Sequence, residues 1–458
     1  MNLTAIVLAA GQGTRMKSDL PKVLHQISGK SLLAHVLDNI SAAEIEEKIV
    51  VLGHKGEEVA KTLPENVRIA YQYEQKGTGH AVMQAAELLP KADGTVLIIC
   101  GDTPLISAQT IKAMYALHQE KHAAVTVLSA IAPNPFGYGR IKRENGQVAA
   151  IVEQKDATAE EAAILEINAG TYFFDQKFLL ENLPKLSTDN AQGEYYLTDL
   201  IKLACTQNLP CAGFITDFAE IMGVNNRLQL AQAQKYLLRR KAEQLMLAGV
   251  TIIDPEQTYI EENVTIGADT VIWPGCVLKG AVTIGSSCEI GPSVELKDTV
   301  IADATDIKYT VTNEVKIGSN CHIGPFAYLR PGTVLADNVK IGDFVEVKKS
   351  TVGEGSKLPH LSYIGDATVG EGVNIGCGTI TCNYDGKNKY PTTIGDHAFI
   401  GSNSNLVAPV TVSEGAFIAA GATITENIPP YSLAINRPPL TVKEGWVLKK
   451  QQKEQDKQ

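Results

Sequence analysis

The chain has 458 residues, 44% of them hydrophobic, with a formal net charge of -10. That length holds two or more domains with cores of their own, and the negative balance excludes broad electrostatic attraction to nucleic acid or an anionic membrane surface. No segment approaches the roughly 20 apolar residues of a membrane span, the start runs into a strand pattern without a signal peptide, and the 8 cysteines show no CxxC or metal-ligand spacing, which reads as a cytoplasmic protein with free thiols.

The first ~225 residues alternate strand and helix signals. Leu3–Leu8 is an apolar run ending in Ala9-Ala10-Gly11, and residues 48–52, 67–71 and 96–100 are further short strand patterns. Helical patterning over 31–40 and 79–89 lies between them. Such alternation implies a mainly parallel sheet covered on both faces, with ligands at the carboxyl ends of strands. The Gly11 loop and Asp102 fall on that rim. Gly11 and Gly13 allow close backbone approach to a phosphate or base, and Arg15 and Lys22 bring two cations to the same place. Neither Walker spacing nor GxGxxG is present.

From 226 to 247 there is no Gly or Pro, and the stretch reads as one helix closed near Gly249. Beyond it an aliphatic residue returns every sixth position, in three runs: Ile260 to Leu296, Ile317 to Val347 and Ile394 to Ile424. A period of six fits neither helix nor strand alternation, but fits stacked coils of a hexapeptide β-helix. Gly often follows the aliphatic residue, as at Gly267, Gly285, Gly318 and Gly342, which reads as a need for tight corners. Residues 298–314 read as a break in the first run, and Asn383–Lys389 as a polar turn thrown out of the coil. The charged, glutamine-rich tail from Lys449 reads as disordered.

Leu8 to Met16 with Pro21-Lys22 resembles the signature of sugar-nucleotide pyrophosphorylases. Gln72 with Gly77-Thr78-Gly79-His80-Ala81 is similar to that family's nucleobase segment, and Cys100-Gly101-Asp102 to its metal-binding strand end, with Cys100 where an aromatic is common. Gly139, Glu153, Asn168 and Asn225 complete the pattern. The resemblance implies that Leu8, Ala9, Ala10, Gly11, Gln72, Gly77 and Thr78 read the uracil side of UTP. Arg15 and Lys22 would stabilise triphosphate charge, Asp102 and Asn225 would ligate Mg²⁺, and Gly139, Glu153 and Asn168 would hold the sugar.

In the repeats, His360 in Pro359-His360-Leu361-Ser362-Tyr363, Lys348 two residues after Glu346, and the Asn383 turn resemble hexapeptide acyltransferases. Residues 2–446 together resemble the bacterial bifunctional enzymes that make UDP-N-acetylglucosamine, a precursor of peptidoglycan and lipopolysaccharide. The resemblance implies acetylation of glucosamine 1-phosphate, then uridylyl transfer to N-acetylglucosamine 1-phosphate. His360 would be the base and Glu346 would polarise or orient that site. Arg330, Lys348, Tyr363 and Asn374 would bind the amino sugar phosphate. Cys377, Asn383, Tyr384, Ser402, Ala420 and Arg437 would line the acetyl-CoA site, between subunits of a homotrimer. A neutral imidazole is required for the base, so acetyl transfer should weaken as pH falls through the histidine range.

The reading is an α/β Rossmann-like nucleotidyltransferase domain over residues 1–226, a helical linker over 227–247, and a left-handed parallel β-helix of hexapeptide repeats over 248–458. Left-handed coils are an exception to the usual crossover rule. Two other readings stand beside it: a single-function nucleotidylyltransferase with a non-catalytic β-helix, and a non-enzymatic regulatory subunit built from the same folds.

Overall fold

The computed structural model describes residues 3–456. They form two compact units that meet at Leu238 and Arg239, inside the helix Arg227–Leu247. In the first unit a mixed sheet runs in the order Cys211–Thr216, Val125–Ile131, Glu166–Asp175, Thr95–Cys100, Leu3–Ala9, Glu47–Leu52, Val67–Tyr71. All neighbours on this path are parallel except Glu166–Asp175, which is antiparallel to both of its partners. The strand Leu3–Ala9 alternates as a buried strand must: Ala5, Val7 and Ala9 enter one core cluster, and Ile6 the other. Two of the unit's helices start at serine caps. Ser31 accepts from the Ala34 amide at 3.1 Å and Ser107 from the Thr110 amide at 3.1 Å.

In the second unit three parallel sheets of 11, 10 and 9 strands are found among the described residues, and each coil lays one short strand in each sheet. Most strands point an aliphatic side chain inward. Ile272, Ile290, Ile307 and Ile323 are stacked in register on one sheet and at most 2% exposed. Burial of one such side chain contributes about 1.5–3 kcal/mol, so a stack of short strands reaches the cohesion of a globular core.

Residues 298–314 do not leave the coil. Ile284 pairs with Ile301, Leu296 with Thr312 and Ile301 with Ile317, each over a coil one or two residues shorter than that from Ile272 to Ile290. Corners shorten while core positions persist, and the hexad count slips although the stacking does not. Thr312 takes an aliphatic's place at 1% exposure, its hydroxyl bonded to that of Thr299 at 2.8 Å. The turn after Asn383 does leave the coil, closed by a bridge between Tyr384 and Lys389.

The recurrent glycines also have a different cause from the one read in the sequence. Gly267, Gly285, Gly318 and Gly342 do not have positive φ. Instead the next coil lies against them, and a Cβ on Gly342 would be 1.8 Å from the Pro359 carbonyl oxygen. The left-handed corner positions fall elsewhere, at Asp269, Ser287, Asn320 and Phe344 among others. Gly342→Ala is therefore expected to destabilise the β-helix by about 3–5 kcal/mol, read as a fall in its denaturant midpoint. An unchanged midpoint would mean the coils spread freely.

The tail differs from the expected disorder. Residues Trp446–Gln455 form a helix with no buried side chain. Lysine, glutamine and glutamate are good helix formers, and Lys450 and Glu454 pair one turn apart.

Candidate active sites

In the first unit three strand ends converge. The Gly101 amide donates to the Leu8 carbonyl at 2.9 Å, and the Gln72 amide to the Leu52 carbonyl at 2.7 Å. They border a cavity of about 320 Å³ lined by Leu8, Ala9, Ala10, Gly11, Lys22, Gln72, Gly77, Thr78 and Asp102. Gly13 adopts φ +64, and a Cβ there would be 2.6 Å from Lys22 Cβ, so a side chain would displace the lysine. Gly77 adopts φ +101 with the Tyr195 carbonyl oxygen 2.8 Å from a would-be Cβ.

Lys22 Nζ is ion-paired with Asp102 Oδ2 and donates to Asn225 Oδ1 at 3.1 Å. Arg15 Nη2 donates to the same Asn225 oxygen at 2.9 Å. The Val224 amide donates to the Asp102 carbonyl at 2.9 Å, which ties the Asn225 segment to the strand end. A carboxylate oxygen and a carboxamide oxygen thus face one positive centre, the donor set a hard divalent cation accepts. Cys100 also lines the cavity, and burial pushes its thiol up to about 12, so it stays protonated.

Gly139, Glu153 and Asn168 are brought together outside that cavity. The Asn168 amide donates to the Gly139 carbonyl at 2.9 Å, and a Cβ on Gly139 would be 3.4 Å from the Glu153 carboxylate oxygens. Burial raises the Glu153 carboxyl, opposed by the Thr198 hydroxyl, which donates to it at 3.4 Å. The Asn168 carboxamide is turned inward, donating to Tyr172 Oη at 2.7 Å. The Leu197 amide donates to the Thr78 hydroxyl at 3.3 Å, so the segment before Thr198 reaches the cavity wall.

In the second unit the expected residues divide between one sheet face and one corner. On the face, Glu346 is in register with Tyr363, and Arg330 donates to Glu346 at 2.7 Å. Lys348 lies 3.6 Å from Asp366, and Asn383 donates to Asp366 at 2.5 Å and to Tyr363 Oη at 3.4 Å. At the corner, His360, Cys377, Ser402 and Ala420 each precede the left-handed residue or glycine of successive coils: Leu361, Gly378, Asn403 and Gly421. Amides link them in file: Gly378 to the Leu361 carbonyl, Asn403 to that of Cys377 and Gly421 to that of Ser402, at 2.7–2.9 Å. Arg437 Nε donates to the Ala420 carbonyl at 2.9 Å.

Two expected residues stand apart within one chain. Asn374 lies on a different sheet from Tyr363, in register with Lys357 and Phe399. Tyr384 turns its hydroxyl to the Gly386 carbonyl of its own turn.

Sequence reasoning missed three residues that the geometry draws in. Gln75 clamps the glycine loop, donating to the Ala10 carbonyl at 3.0 Å and accepting from Gln12 at 2.9 Å; its only signal was its place two residues before Gly77. Lys389 sits beside Lys348, whose adjacent amino group and positive charge hold its ammonium below the usual range. Two adjacent ammoniums are relieved by an anion. Asp343 touches His360.

A family described as MobA-like NTP transferase domain matches residues 5–164, one described as GMPPB C-terminal domain residues 260–336, and one described as bacterial transferase hexapeptide (six repeats) residues 391–426. The chain is 52% identical over 451 residues to a Trichlorobacter lovleyi protein named "Bifunctional protein GlmU", covering 97% of this chain and 98% of that one. A Halalkalibacterium halodurans protein of the same name is 51% identical, covering 98% and 99%. One from Geobacillus sp. strain WCH70 is 52% identical, covering 97% of each.

Proposed function

The chain belongs to the family of bifunctional GlmU proteins, and from that premise we propose that its β-helix acetylates glucosamine 1-phosphate and its Rossmann-like unit converts the product to UDP-N-acetylglucosamine. What supports both halves in one chain is the joint presence of the cation-lined strand rim and the corner file that carries His360. The domains are assigned as 1–226 for uridylyl transfer, 227–247 as linker and 248–458 for acetyl transfer on a left-handed parallel β-helix.

In acetyl transfer the sugar amine attacks the thioester carbonyl of acetyl-CoA, the C–S bond breaks and the thiol leaves. His360 takes the amine proton. Arg330, Lys348 and Lys389 neutralise the sugar phosphate, Tyr363 contacts the sugar, and Cys377, Asn383, Tyr384, Ser402, Ala420 and Arg437 hold the acetyl donor. Glu346 acts by orienting Arg330. Three copies side by side form the working assembly with acetyl-CoA between neighbours, and Asn374, on the sheet that carries the His360 strand, contacts the sugar.

In uridylyl transfer a phosphate oxygen of N-acetylglucosamine 1-phosphate attacks the α-phosphorus of UTP, and pyrophosphate leaves. Gln72 and the loop from Leu8 to Gly11 with Gly77 and Thr78 hold the base. Arg15 and Lys22 neutralise the triphosphate, while Gly139, Glu153 and Asn168 hold the sugar. Asp102 and Asn225 hold Mg²⁺, which when bound supplies further charge neutralisation at the phosphates.

Among the described residues no helix is long and apolar enough to cross a membrane. Eight free thiols suit the reducing cytoplasm.

Glu153 yields a prediction of its own. Its carboxyl is raised by burial, so the ionised form is destabilising above the ordinary carboxylate range, and that cost fades as pH falls through it. Glu153→Gln should raise the thermal midpoint of the first unit at neutral pH by roughly 2 °C, and raise KM for the sugar phosphate about tenfold. Calorimetry and initial rates read both.

The deciding experiment supplies glucosamine 1-phosphate, acetyl-CoA, UTP and Mg²⁺, and follows thiol and pyrophosphate together. Both should appear, with pyrophosphate lagging and abolished without acetyl-CoA. Pyrophosphate only on supplying N-acetylglucosamine 1-phosphate, with no thiol, would make the β-helix a scaffold.

A further inference from the structure

The carboxylate that touches His360 is not the one the sequence singled out. Glu346 is tied to Arg330, whereas His360 Nδ1 and Asp343 Oδ1 are 2.8 Å apart. Asp343 precedes the left-handed Phe344 as His360 precedes Leu361, one coil earlier in the same corner file, and the two are in Cα register. The Leu361 amide also donates to the Asp343 carbonyl at 2.9 Å, so backbone and side chain both hold the pair. The hydrogen bond from His360 keeps the Asp343 carboxyl below its usual range, in its ionised form. A carboxylate can only accept. The neutral ring beside it must therefore carry its hydrogen on Nδ1, which leaves Nε2 bare.

We propose that Asp343 is a positioning residue for acetyl transfer, holding His360 as the Nδ1–H tautomer so that Nε2 is free to accept the amine proton. The inference rests on His360 being the base. A stacked His–Asp pair alone would not carry it: His322 and Asp306 form one on a flat sheet face, away from the corner file. Other polar groups on the strands of this sheet are Lys340 and Lys357, in register with each other further back, and Asn374, in register with Lys357 on the next coil. Glu346, Lys348 and Tyr363 stand on the adjoining sheet. Among the described residues only Asp343 hydrogen-bonds the imidazole.

The test uses full-length protein labelled with ¹⁵N-histidine, with His360→Gln to assign the ring. The wild-type ring at alkaline pH should show a protonated Nδ1 and an unprotonated Nε2. In Asp343→Asn the carboxamide can donate to Nδ1, and the ring should move toward Nε2–H. The kcat should fall about threefold to tenfold with KM little changed. Mere loosening of the coil would lower kcat without moving the ring proton. An Nε2–H tautomer in the wild type, or a ring in Asp343→Asn that keeps its proton on Nδ1, overturns the proposal. Failure of the underlying reading looks different: acetylation would survive His360→Ala while the tautomer stays as expected.

Discussion

Replacing Asp102 by alanine will lower uridylyl transfer by about 10²–10³-fold and leave acetyl transfer unchanged. The side chain sits at a strand end with one carboxylate oxygen on the Lys22 ammonium, which also donates to the Asn225 oxygen. Removing it subtracts the charged member of the only oxygen pair among the described residues that shares this cation. It also leaves Lys22, 14% exposed, with a neutral partner alone. The backbone is insulated, because the strand end is held by the Gly101 amide on Leu8 and the Val224 amide on the Asp102 carbonyl. Pyrophosphate release at saturating UTP and Mg²⁺ measures the loss, and thiol release on the same preparation checks that the protein is intact. A rate within threefold of wild type would remove Asp102 from the chemistry. Asp102→Asn, which keeps an oxygen but not the charge, should fall between the two.

Periodicity disclosed the β-helix because an inward aliphatic on most strands is a requirement of stacking that local sequence must meet. The coil lengths it did not disclose. The corner file runs through His360, Cys377, Ser402 and Ala420 at unequal spacings, since the Asn383–Lys389 turn adds residues between two of them. A constant period cannot align them. The same irregularity hid Asp343, whose only sequence relation to His360 is a coil of variable length. Glu346 and Lys348, two apart on one strand, were legible as neighbours, yet the partners they take, Arg330 and Asp366, come from adjoining coils. In the first unit the strand–helix alternation placed Gly11 and Asp102 on one rim. The inward turn of Asn168 onto Tyr172 depends on tertiary packing and left no mark in the pattern.

Replacing His360 by alanine will reduce acetyl transfer by about 10²–10⁴-fold, the usual worth of a positioned general base, and leave uridylyl transfer from supplied N-acetylglucosamine 1-phosphate intact. The side chain is 58% exposed, and its partner Asp343 is 42% exposed, so the truncation opens no cavity and its cost to folding should stay within about 0.5 kcal/mol. A loss of rate can then be assigned to chemistry rather than to a collapsed coil. The neighbouring groups give the loss a recognisable form. Arg330, Lys348, Lys389 and Tyr363 remain, so the sugar phosphate should still bind, with KM changing far less than kcat. Thiol release under saturating acetyl-CoA measures it. If the variant acetylates within threefold of wild type, the amine loses its proton to another group, and the corner file is a binding track without a base.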